Sequence, residues 1–377
     1  MHRPHPTRPE RRRARPPVAA ACLGTAVLVV LACLLVGVAG TRTPRSGAAV
    51  PRTPDGAFPV GPPQLVRSGV PTGPGQVLMA GAVDWGDPAM VQAGGTYYLY
   101  STQPLPWIHV PVEHARAGGT WSLMRDALPT LPAWAQTGRI WAPDVHRFGR
   151  RWVLYFSAQV RGSDPALHCL GEATGRAPGG PFRPAVAPLY CQPSLGGSID
   201  PRVYVAPSGV PYLVWKSDNN TDRARYGPTV IWSARLRPDG LGVAGTPTAV
   251  FAPDRPWEGM LLEAPDLVTV QGRTWLFFSG GEGYWSADYA IGAARCRGPL
   301  GPCADVTDGP ILSSNAQGTG PGEESVFVQG DRYWLVYNTR DADGGATPRP
   351  AAIAALSFRS GVPVVVPRHT PASATSA

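Results

Sequence analysis

The chain has 377 residues, 43% hydrophobic and 16% charged, which excludes a disordered protein and leaves room for one or two globular cores. Its net charge of +8 does not mark a nucleic-acid binder, because residues 1–52 carry nine Arg and one Glu while the other 25 basic and 25 acidic residues cancel. Gly (45) and Pro (44) are scattered as turn punctuation between apolar runs, a pattern of many short strands.

The chain opens with a targeting pattern. RRRAR at 11–15 precedes PVAAACLGTAVLVVLACLLVGVAG, an uncharged apolar run of roughly 22 residues, long enough for a signal peptide or a membrane span. Residues 1–40 are therefore expected to be a signal peptide, with Gly37-Val38-Ala39 as cleavage site, or an N-terminal anchor. A lipoprotein-like box ending at Cys33 is disfavoured by the apolar residues beyond it. Each reading puts the body outside the cytoplasm, extracellular or at the cell surface, with any membrane contact through residues 17–39. Residues 41–75 read as a Pro/Gly-rich linker, 76–368 as the folded domain and 369–377 as a disordered tail. The body keeps Cys169, Cys191, Cys296 and Cys303, and an even number in an exported chain suggests the local disulfides Cys169–Cys191 and Cys296–Cys303. A zinc site lacks CxxC spacing and any nearby His but His168.

Five segments then repeat one template: DPAMVQAGGTYYLYS from Asp87, PDVHRFGRRWVLYFS from Pro143, DPRVYVAPSGVPYLVWKS from Asp200, PDLVTVQGRTWLFFS from Pro265 and ESVFVQGDRYWLVYN from Glu324. Each is two β-branched or aromatic runs around a Gly-type turn, a β-hairpin. Two hairpins per repeat make a four-stranded blade, so the fold class expected is all-β, a five-bladed β-propeller; a β-sandwich need not repeat a motif at a shared interval. Residues just before each blade's first strand point into one central channel. Asp87, Asp200 and Glu263 lie there, each before Pro or Ala-Pro. Asp-Pro alone is a common turn starter. Convergent carboxylates, however, suit hydrolysis of a glycosidic bond, which needs one acid for the leaving oxygen and one carboxylate for water or carbon. A third acid nearby raises the proton affinity of the first.

DPAMVQAGGTYYLYST, WAPDVHRFGRRWVLYFSA, SIDPRVYVAPSGVPYLVWKSD and LLEAPDLVTVQGRTWLFFSGG, in that order, resemble glycoside hydrolase family 43 from about residue 80 to 360. The resemblance implies a five-bladed propeller acting on arabinosyl and xylosyl linkages with inversion. It makes Asp87 the general base, Glu263 the general acid and Asp200 the residue that tunes and orients that acid. Inversion places base and acid about 6.5–9.5 Å apart. Trp141 matches a pocket-wall tryptophan of the family, and Trp107, after STQPLP, is placed at the entrance. Asp84 and Glu258 read as rim or turn residues, Asp144 and Asp266 as structural.

One departure stands out. Many relatives carry Gly-Pro-Gly-His in the fifth blade, whereas this chain reads GTGPGEESVF, with Glu323 in place of His. No cofactor is required by this reading; the exchange weakens the case for calcium while leaving Glu323 able to hold a hard cation. The expected partner is an arabinose- or xylose-containing polysaccharide or oligosaccharide, with no nucleic acid, and the expected state is a monomer. The competing reading is a non-catalytic, surface-tethered carbohydrate-binding propeller, which would have no need of a high-pKa acid beside two others. A fructan-cleaving propeller would show different acid motifs. Sugar, linkage and exo or endo action are left open.

Overall fold

A computed structural model describes residues 76–79, 84–117, 119, 121–122, 124–315, 318–340 and 348–366. The expected signal or anchor segment, the linker and the tail lie outside the described residues.

Among the described residues, twenty-one strands form five sheets. Strand β1 (Gln76–Met79) precedes the first blade, which holds β2 (Ala89–Ala93), β3 (Thr96–Tyr100), β4 (Pro111–Arg116) and β5 (Arg125–Asp126). Blade 2 holds β6 (Ala135–Phe148), β7 (Arg151–Val160), β8 (His168–Gly175) and β9 (Arg183–Pro184). Blade 3 holds β10 (Ser198–Val205), β11 (Pro211–Ser217), β12 (Ile231–Arg235) and β13 (Thr248–Phe251). Blade 4 holds β14 (Leu262–Val270), β15 (Arg273–Gly280), β16 (Ala290–Cys296) and β17 (Cys303–Asp305). Blade 5 holds β18 (Thr319–Gln329), β19 (Arg332–Arg340), β20 (Ala351–Arg359) and β21 (Val362–Val366). All neighbours pair antiparallel, and the ring is a five-bladed β-propeller.

Ring closure is not visible in the repeat. β1 pairs with the first half of β20 (Val77 opposite Ala352) and β21 with its second half (Val365 opposite Leu356), so one outer edge carries both chain ends of the propeller. The hairpins close where the repeat places them. Gly94-Gly95 and Gln271-Gly272 all have positive φ, as a two-residue turn matching strand twist requires.

The second strand of each blade is a continuous apolar run because both its faces are covered by neighbouring blades. Side-chain alternation sends its residues to two different seams. In β7, Leu154 and Phe156 pack with Tyr100 and Val112 of blade 1, while Val153 and Tyr155 pack with Leu213 and Trp215 of blade 3. In β15, Leu276 and Phe278 join blade 3, while Trp275 and Phe277 join blade 5. A fifth cluster, with Leu99 and Val336, joins blades 5 and 1. Stability therefore resides in five interblade seams. Cys169–Cys191 and Cys296–Cys303 are bonded, the first tying β8 to the segment that enters blade 3, the second joining β16 to β17.

Phe156 is fully buried in the seam between blades 1 and 2, against Gly171, where an added Cβ would meet its ring at 2.5 Å. Phe156→Ala is expected to lower the unfolding free energy by about 3–5 kcal/mol, read from the urea midpoint. A loss below about 1 kcal/mol would mean that the seam collapses around the void.

Candidate active site

Five non-glycine residues, one per blade, sit in the left-handed region on the inner strands or, for Asp87, just before one: Asp87, Ala142, Asp200, Ala264 and Glu323, with φ between 48° and 58°. Four precede proline, which disfavours the right-handed helical alternative. Each backbone N–H is held by a side chain of the preceding blade. Ala142 N–H donates to Thr102 Oγ1 (3.0 Å), Asp200 N–H to Ser157 Oγ (2.9 Å), Glu323 N–H to Ser279 Oγ (2.9 Å) and Asp87 N–H to Asn338 Oδ1 (3.3 Å).

The fifth link differs. Ala264 N–H donates to Asp200 Oδ2 at 3.0 Å. The strand position that supplies Ser157 opposite Trp141 and Ser279 opposite Glu263 is occupied in blade 3 by Lys216, opposite Ile199. Lys216 is the chain's sole lysine. Fully buried, it donates to Glu263 Oε2 at 2.9 Å and to Asn220 Oδ1 at 3.0 Å. Burial pushes its ammonium towards neutrality, but Glu263, Asp200 and Asp218 outweigh burial and hold it above its ordinary value.

This register corrects the expected equivalence of Asp87, Asp200 and Glu263. Asp87, Asp200 and Glu323 occupy the left-handed position; Glu263, like Trp141, stands one residue earlier, with Ala264 and Ala142 in that position. The Ala-Pro of blades 2 and 4 mimics the Asp-Pro of blades 1 and 3 in the local sequence and hides the offset. The acids nevertheless share one field. Asp200 is raised to about 7 by burial, against Lys216 and with Asp87 and Glu263. Glu323 is held well above the usual carboxylate range by burial, then by Asp87, Glu263 and Asp200. Its carboxyl is within hydrogen-bonding reach of that of Asp87 and lies 3.1 Å from the Tyr289 hydroxyl, which donates to Glu263 Oε1 at 2.7 Å. Among the described residues, Asp254, Glu258 and Asp305 bring three acidic ligand atoms within 4.8 Å of one another. That group lies between the outer parts of blades 3 and 4 and has Arg255 as counter-charge, 3.7 Å from Asp254 and 3.8 Å from Asp305.

Around the acids, Trp141 packs on the His168 ring at a centroid distance of 4.4 Å, and His168 Nδ1 bonds Asp218 Oδ2 at 2.7 Å. His168 Nε2 is buried with no hydrogen-bond partner among the described residues. Arg349 covers Gly86 beside Asp87, pairs with Asp84 at 2.7 Å and lies 4.7 Å over the Tyr284 ring. Trp107 is 47% exposed on the loop between β3 and β4. Of the residues read as rim or turn, Asp84 holds Arg349 and Glu258 Oε2 accepts from the amides of Asp254 and Arg255; of those read as structural, Asp144 and Asp266 accept from Val203 and Val326 of the next blade. Farther along the inner strands the channel widens into a cavity of about 420 Å³ lined by Asp144, Arg202 and Asp266 and by none of the converging acids. Lys216, Tyr289, His168 and Arg349 were not singled out from sequence. Only Lys216, as a lone lysine, carried a signal that could have been used.

The sequence profile of "Glycosyl hydrolases family 43" matches residues 80–363. The chain is 24% identical over 277 residues to the extracellular exo-alpha-(1->5)-L-arabinofuranosidase ArbA of Cellvibrio japonicus, covering 67% of this chain and 73% of that protein. It is 25% identical over 298 residues to the extracellular endo-alpha-(1->5)-L-arabinanase 1 of Bacillus subtilis, covering 74% and 86%. Among solved structures, a thermostable family-43 glycoside hydrolase is similar with a TM-score of 0.69 at 27% identity, over 81% of this chain and 97% of its own.

The buried acids set a pH dependence. Asp200 and Asp266 are both raised to about 7, chiefly by burial. Such groups bind more protons folded than unfolded, so their contribution to stability is present below roughly pH 4 and is lost as pH rises through about 7. The melting temperature is expected to fall by several degrees from pH 5 to pH 8, and Asp266→Asn, which can still accept from Val326, to flatten the decline. A melting temperature that rises across this range in the wild type would contradict this.

Proposed function

The chain belongs to glycosyl hydrolases family 43, and on that premise we propose that it is an exported inverting glycosidase of arabinofuranosyl or xylosyl linkages in plant cell-wall polysaccharide. The observation that carries this reading is the convergence of Asp87, Asp200 and Glu263 at one end of the channel, with Lys216 anchored on Glu263. Export is supported by the apolar leader pattern and by the extracellular relatives.

In this mechanism Asp87 takes a proton from water as the oxygen attacks the anomeric carbon, while Glu263 gives its proton to the departing glycosidic oxygen. The C–O bond to the leaving group breaks as the new one forms on the opposite face. Asp200 acts through position and charge. Its Oδ2 pins the amide of Ala264, the residue after Glu263, and its charge raises the proton affinity of Glu323. Trp141, packed on the His168 ring, provides an apolar ring face for a pentose. Exposed Tyr284 and Trp285, close to Arg349, extend an aromatic rim on which further sugar units can lie; Trp107 is a second exposed platform. No step is assigned to calcium or another ion.

The test is hydrolysis of 4-nitrophenyl α-L-arabinofuranoside, 4-nitrophenyl β-D-xyloside and linear arabinan, with product length separating exo from endo action. Glu263→Gln and Asp87→Asn are each expected to lower kcat by about 10²–10⁴-fold without loss of binding. Near-wild-type turnover in either variant would reject the assignment, and binding without hydrolysis by the wild type would favour a carbohydrate-binding propeller. Trp141→Ala is expected to raise KM about tenfold, the equivalent of about 1.4 kcal/mol, with a smaller change in kcat; an unchanged KM would remove the ring from the sugar site.

A further inference from the structure

An inverting turnover leaves the two carboxyls in exchanged states: the base has gained a proton from water and the acid has lost one to the leaving group. Before the next substrate can react, a proton must leave Asp87 and another must reach Glu263. Glu263 is arranged in the spent form. Its Oε2 accepts from Lys216 at 2.9 Å and its Oε1 from Tyr289 at 2.7 Å, so both oxygens serve as acceptors.

The same contacts lead back to the base. The Tyr289 hydroxyl has one hydrogen, which it donates to Glu263, so its 3.1 Å contact with Glu323 Oε1 is a hydrogen bond only if Glu323 supplies the proton. The Glu323 carboxyl in turn lies within hydrogen-bonding reach of that of Asp87 and bonds it when one of the two is protonated. Tyr289 is fully buried, and Gly322 makes room for it, since a Cβ there would meet its ring at 2.0 Å. Neither Glu323 nor Tyr289 takes part in bond cleavage as described above.

We propose that Glu323 and Tyr289 form an internal proton return path from Asp87 to Glu263, which resets the site after each turnover. The idea rests on the inverting reading of Asp87 and Glu263. In the reset, protonated Asp87 gives its proton to the Glu323 carboxyl, Glu323 gives its own to the Tyr289 oxygen, and Tyr289 gives its hydroxyl proton to Glu263. Asp87 ends as carboxylate and Glu263 as carboxylic acid, while Glu323 and Tyr289 recover their starting forms; no charge is left over and no co-reactant is needed. The raised proton affinity of Glu323 fits a residue that stays protonated between turnovers. Glu323 thus puts a proton carrier beside the base.

The test uses the full chain and whichever glycoside the wild type hydrolyses. Reset follows cleavage, so it enters kcat and not kcat/KM. Tyr289→Phe is expected to lower kcat about tenfold or more while kcat/KM stays within about threefold. Added formate or imidazole at constant ionic strength should restore kcat in the variant and leave the wild type unchanged. Glu323→Gln should give the same pattern. If kcat and kcat/KM fall together without a buffer response, Tyr289 only orients Glu263 and the relay is rejected; unchanged kcat in either variant rejects it as well. Activity surviving in Glu263→Gln would instead reject the underlying assignment. A measurement independent of turnover is the infrared spectrum at neutral pH, which should show a buried protonated carboxyl that disappears in Glu323→Gln and shifts in Tyr289→Phe; absence of that band in the wild type overturns the proposal.

Discussion

The whole site depends on one repeated backbone contact, the hydrogen bond by which each blade holds the left-handed residue that opens the next. A non-glycine residue at φ near 50° costs on the order of 1–3 kcal/mol, and here five are set around one axis. The cost is sustained because each amide finds a partner that only the preceding blade provides: Thr102, Ser157, Asp200, Ser279 or Asn338. Seam packing brings the blades close enough for these bonds to form, and the bonds then fix where the side chains at the inner strand starts point. The third link is the informative one. Lys216 stands where other blades have a capping Ser, Thr or Asn, and Asp200 takes over the missing bond with its own carboxylate. One exchange therefore places a cation against Glu263 and couples Asp200 to the backbone next to it.

Charge balance at the channel end follows from this arrangement. Glu263 and Asp200 face Lys216, while Asp87 and Glu323 lie beside them and towards Arg349, which is already committed to Asp84. In a low-dielectric interior, four carboxylates against these cations cannot all be ionised, so protons are retained within the group. Retained protons are what a site that gives and takes one per turnover requires.

The fold was legible because every blade solves the same packing problem with the same hairpin; aromatic runs such as WVLYF and WLFF announce strands covered on both faces. Asp87, Asp200 and Glu263 were legible because an acid before Pro or Ala-Pro recurs. What was hidden is mostly non-local. Tyr289 reaches Glu263 and Glu323 across 26 and 34 residues of sequence, and the Lys216 contact spans 47. Nothing around YAIG marks a residue of the site. The offset of Glu263 from the left-handed position was masked by the proline that both registers share, and the role of β1 by its lack of any repeat motif.

Strand β20 offers a last consequence. Because β1 and β21 occupy successive halves of the same edge, the polypeptide enters and leaves the ring at one point on its rim. Tension applied between the two ends would load the short pairings of β1 and β21 with β20, all on a single blade. A tether at either end therefore holds the ring by the same attachment point, as a tag hangs from one hole.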